Sequence, residues 1–160
     1  MDLPEMLREA LELQVLEQEP ERAATVIGTG VSEHGPAVVA QALLEATSVA
    51  FRRMVSITDE AFDLADLLAQ LALDGAVPEH RLELLTEVLT AAAATAGGIR
   101  PSVEAMQGRL GDQDLLFGAW LGTLTGLRVA SLAVEVTEAE LLEDVLLAFD
   151  VEVVDLDRDI

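Results

Sequence analysis

Cysteine, lysine, asparagine and tyrosine do not occur anywhere in this chain of 160 residues. Without cysteine there is no disulfide framework, no thiolate nucleophile and no thiolate-ligated metal. Without lysine a P-loop is excluded, because that motif needs a Lys on the phosphates. Lysine and asparagine have A/T-rich codons, as does tyrosine, so their absence reads as the mark of a GC-rich bacterial genome rather than of a function. Aromatics are scarce as well, four Phe and one Trp. Basic residues number nine, all arginine, against thirty acids, for a net charge of −21. Such a charge repels nucleic acid and anionic lipid alike, and favours solubility and basic partners. The start, "MDLPEMLREALELQ", has neither the basic opening nor the apolar core of a signal peptide, and no lipidation signal stands at either end. A cytoplasmic location is expected.

What remains is rich in Leu, Ala and Val, and 51% of the residues are hydrophobic. A disordered acidic chain lacks that apolar content, whereas packed helices have it. The length suits one domain with a core of its own. The periodicity predicts an all-α compact bundle of six or seven helices over residues 1–150, with 151–160 as an acidic tail or short edge segment. "LPEMLREALELQVLEQ" places Leu3, Leu7, Leu11 and Val15 on one face, with Pro4 in the first turn. Gly28, Gly30, Gly35 and Pro36 predict a loop over 28–36. Helices are expected from Pro36 to Val55, from a Thr58 N-cap to Gly75, over 79–96, 101–110 and 113–135, and over 138–149.

Two segments are similar. "VSEHGPAVVAQALLEA" and "VPEHRLELLTEVLTAA" lie 46 residues apart, share Val31/Val77, Glu33/Glu79 and His34/His80, and keep an apolar face in register. Repeats of the HEAT kind have periods of about 40–47 residues, so two to three helical hairpins form the alternative architecture. Ordinary capping explains the recurrence more simply. Ser32, Pro78 and Thr137 all suit a helix start, and an acid in the first turn suits the helix dipole.

The least polar stretch is "LLFGAWLGTLTGLRVASLAV", residues 115–134, with Gly118, Gly122 and Gly126 at four-residue spacing. It is long enough to cross a bilayer, but Arg128 inside it would cost about 2.5–3.5 kcal/mol near a helix centre, and both flanks are acidic. The expectation is a helix in no membrane. Glycines four apart advance by about 40° per step and form a slowly turning stripe. Each costs about 1 kcal/mol against alanine, so close packing should compensate. The small residues from Ala91 to Gly98 are the expected partner within the chain, and a homodimer seam is the alternative. Arg128 is expected to snorkel or to pair with Glu135.

Few residues carry reactive chemistry. Gly28-x-Gly30 lacks the strand and third glycine of a dinucleotide-binding turn. Ser32, Ser48, Ser56, Ser102 and Ser131 sit in no nucleophile elbow. Asp63 and Asp66 could do acid–base work only if one were buried. His34 and His80, each beside a glutamate, could join a metal-dependent or carboxylate enzyme site, but the Glu-x-x-His spacing of di-iron bundles is absent. No metal and no cofactor are expected. The C-terminal acids Glu138, Glu140, Glu143, Asp144, Asp150, Glu152, Asp155, Asp157 and Asp159 form a candidate surface for a basic protein. The expected function is a non-enzymatic, acidic interaction module, adaptor or regulator. An inhibitor, immunity protein or DNA-mimic decoy is the alternative.

Overall fold

The computed structural model describes residues 2–58, 79–99 and 101–158, together with Asp63, Ala65, Asp66 and Ala69; side chains at Thr58, Glu79, His80 and 149–158 lie outside the description. The described residues include seven helices and no strand. They are α1 (Leu3–Val15), α2 (Pro20–His34), α3 (Pro36–Thr58), α4 (Glu79–Ala96), α5 (Val103–Leu110), α6 (Asp112–Val134) and α7 (Glu138–Arg158). The expected all-α bundle is what forms.

Local chemistry sets several of the boundaries. The Asp2 side chain accepts from the Glu5 N–H at 2.9 Å and caps α1. Ser102 caps α5 by accepting from Ala105 N–H at 3.2 Å. Thr137 Oγ1 accepts from Glu140 N–H at 3.1 Å at the start of α7, as its sequence position predicts. Glycine makes the sharpest breaks: Gly35 at φ +92 separates α2 from α3, and Gly111 at φ +85 separates α5 from α6. An L side chain is strained at such angles.

Helix α3 is the hub. Residues 42–51 are buried without interruption, and α3 touches each of the other six described helices. A helix that is apolar all round must be surrounded in this way. Its most extensive partner is α6. Between them Thr47 Oγ1 donates to Thr123 Oγ1 at 3.0 Å, and Thr123 Oγ1 reaches the carbonyls of Ala119 (2.9 Å) and Leu43 (3.2 Å). Both threonines are buried, so the pair satisfies its own polar groups and pins the register of the two helices. The glycine stripe of α6 calls for close packing, and α6 is half-way to a hub itself. It shares that role with α3, and the most apolar 18-residue window of α6 is 50% buried. By length and composition α6 is also the one described helix that could cross a membrane.

Several expectations need correction. The loop predicted over 28–36 is helical through His34, and the break falls at Gly35. Gly30 is buried against Met6 of α1; a Cβ there would stand 2.7 Å from Met6 Cε, so the glycine serves a close crossing of α1 and α2. Ser32 caps nothing; its hydroxyl donates to Gly28 O within α2. The shared "EH" therefore precedes the break at Gly35 that ends α2 in one copy and runs unbroken into α4 in the other. Its positions are not structurally equivalent, which removes the 46-residue offset as a mark of HEAT-like repeats. Thr58 belongs to α3 rather than opening a helix; of the helix expected from there to Gly75 the structure describes Ala65, Asp66 and Ala69 as helical, with Asp63 Oδ1 accepting from Asp66 N–H at 3.1 Å, and the rest lies outside the described residues. The segment read as a tail or edge from 151 continues α7 as helix to Arg158.

Candidate functional site

The glycine stripe is internal, but its partner is not the one expected. A Cβ at Gly118 would meet Leu84 Cγ at 2.9 Å and Val88 Cγ2 at 3.0 Å. One at Gly122 would meet Val88 Cγ1 at 2.7 Å, and one at Gly126 would meet Thr47 Cγ2 at 2.9 Å. The neighbours are thus bulky side chains of α4 and α3, not the smooth run from Ala91 to Gly98. The physical reason is knob-into-hole packing: Val88 is the knob, and the missing side chains of α6 are the hole. The stripe's rotation carries it from α4 at Gly118 and Gly122 to α3 at Gly126, as an advance of about 40° per step requires. Arg128 is exposed and makes no ion pair with Glu135 among the described residues.

The candidate C-terminal acids divide. Glu138 and Glu140 lie in the first turn of α7, where they suit the helix dipole. Glu140 and Glu143 are exposed. Asp144 is half-buried and pairs with Arg53, so it ties α7 to α3 and is not an open docking charge. Asp150, Glu152, Asp155 and Asp157 belong to α7 by backbone, with side chains outside the description, and Asp159 lies outside the described residues.

His34 ends α2, with Nε2 3.9 Å from Glu33 Oε2. His80 lies in α4. Among the described residues no group of three or more His, Asp or Glu side chains comes together to hold a metal. Buried Glu45, on α3, accepts from Gln41 at 3.2 Å.

One concave feature escaped the sequence reading. A groove of about 690 Å³ opens between the first half of α4 and the start of α6, with Leu110 at the end of α5 closing one side. Leu84, Leu110 and Phe117 supply its apolar lining, and Glu83, Glu87 and Asp114 its carboxylates. The Arg81 guanidinium sits 4.7 Å from the centroid of the Phe117 ring, a cation–π contact worth about 0.5–1 kcal/mol at an exposed site. Glu87 Oε1 is closed off from solvent and is held by charge to Arg109. Glu83 and Asp114 are exposed and make no ion pair among the described residues. No run of residues signals this groove, because its two walls are about thirty positions apart in sequence.

No family model, no curated protein and no solved structure matches the chain.

Proposed function

We propose that the protein is a non-enzymatic, acidic helical interaction module of a bacterial cytoplasm, and that its partner is a basic protein. The observation that carries this reading is the outer face of α7. Glu140, Glu143 and Leu147 fall at i, i+3 and i+7, so they share one face, and all three point to solvent. Leu147 is 65% exposed, an apolar contact point within an acidic setting. Interfaces commonly combine a small apolar centre with a charged rim. The net charge of −21 supplies long-range attraction for a basic partner, which chiefly raises the association rate and sets specificity. The partner class excluded by the same charge is nucleic acid.

The test is affinity capture from the native host, followed by titration of the purified partner at low and high salt. The expected partner is basic, and its binding weakens steeply as salt screens the charges. Replacing Glu140 and Glu143 by Gln, or truncating after Phe149, should slow association and leave the fold intact. A partner that is neutral or acidic, or binding indifferent to salt, would refute the reading.

A further inference from the structure

We infer that the groove between α4 and α6 seats a basic amphipathic helix of the partner protein, with an apolar residue on Leu84 and Phe117 and an arginine or lysine between Glu83 and Asp114. The inference rests on the interaction reading above and gives it a second, more specific contact. Three observations converge. The groove has an apolar lining and a volume of about 690 Å³, room for more than one side chain. Its carboxylates outnumber its one guanidinium, and Arg81 is already engaged over Phe117. Of those carboxylates, Glu87 is taken by Arg109, which leaves Glu83 and Asp114 unpaired among the described residues.

The packing explains why the groove stays open. Gly118 admits the Leu84 side chain against the surface of α6. One residue earlier Phe117 turns outward and is 40% exposed, with Arg81 laid across it. The cation holds the ring at the edge of the groove, which Leu84 also lines. Leu84 and Phe117 thus supply apolar surface in a groove that Glu83 and Asp114 also line. A helix with an apolar residue and a basic residue at i and i+3 or i+4 matches that order, since such residues lie on one face. An acidic or neutral helix would leave both carboxylates without partners.

The probe is a fluorescein-labelled synthetic helical peptide carrying Leu and Arg at alternating i, i+3 and i+4 positions. Its counterpart has Glu at every Arg position. Anisotropy titration against the full chain measures affinity, and backbone amide shifts locate the site. The groove variants are Glu83→Gln with Asp114→Asn, and separately Phe117→Ala; all three positions are exposed, and circular dichroism checks the fold. The α7 variant Glu140→Gln with Glu143→Gln is the control. Loss of two exposed charge pairs should weaken the Arg peptide about tenfold. Phe117→Ala should weaken it too, the α7 variant should not, and shifts should centre on α4 and the start of α6. Equal binding of the Glu peptide, no binding of the Arg peptide, or a larger loss from the α7 variant would each overturn the groove. If the captured native partner binds the groove variant as it binds the wild type, the groove falls and the interaction reading stands. If no basic protein is captured and no peptide binds, both fall.

Discussion

Two glycine-to-alanine substitutions separate what a helix prefers from what its neighbours allow. Gly28 and Gly122 both lie inside helices, α2 and α6, so each change to alanine gains about 0.8–1 kcal/mol in helix propensity. A Cβ at Gly28 would have nothing within 4 Å. Gly28→Ala should therefore keep the whole gain, which raises Tm by about 2–4 °C in a chain of this size. At Gly122 the new Cβ would stand 2.7 Å from Val88 Cγ1. Val88 is fully buried and β-branched on a helix, so it has one favoured rotamer and cannot swing away. Helix α4 must move, at about 1–3 kcal/mol for overpacking. The propensity gain offsets part of this, and Gly122→Ala should end about 0–2 kcal/mol less stable than the wild type. The two variants should differ by about 1–3 kcal/mol in urea denaturation followed by circular dichroism. Adding Val88→Ala to Gly122→Ala should relieve the clash, visible as a coupling of about 0.5–3 kcal/mol in a double-mutant cycle. Because the stripe faces α4 and α3, these values should not depend on protein concentration, and the larger Gly122→Leu should cost more in the same sense. A Gly122→Ala protein stabilised as much as Gly28→Ala would refute the reasoning.

The remaining predictions use the same denaturation assay. Thr47→Val or Thr123→Val should each cost about 0.5–1.5 kcal/mol, and the double variant should cost less than their sum, because removing both partners leaves no buried hydroxyl to satisfy. Ser102→Ala should remove the cap on α5 and cost about 0.5–2 kcal/mol; no change would mean the α5 start is held by packing alone. Asp144→Asn should cost at most about 1 kcal/mol, since its pair with Arg53 is partly exposed, and the loss should shrink in high salt.

Much of the fold is legible in the sequence. Leu3, Leu7 and Leu11 at four-residue spacing already describe α1 and its buried face, and both Leu7 and Leu11 are fully buried. Thr137 announces the start of α7 by its side chain, a local effect that needs no tertiary partner. The limits of such reading show at Gly28 and Gly30. Their turn chemistry argues for a loop, but Gly30 lies where Met6 crosses, and packing between α1 and α2 carries the helix through. Helix α7 likewise runs past Phe149, through a segment whose alternating Val and acid resembles an edge strand.

The glycine stripe shows where local and tertiary information part. From spacing alone Gly118, Gly122 and Gly126 had to share a turning face and had to pack closely, because period and propensity are properties of the chain itself. What filled that face was decided by three-dimensional neighbours. Leu84 and Val88 come from α4, Thr47 and Phe51 from α3, and nothing near the glycines in sequence names them. The acids follow the same division. Composition determined a charge of −21, and with it the sign of any long-range attraction. Only the packing of helices determined that Asp144 is tied to Arg53 and Glu87 to Arg109, while Glu83 and Asp114 line a groove with Leu84 and Phe117. Net charge is a sum over residues and is independent of order, whereas a groove depends on which surfaces two distant helices leave uncovered when they meet.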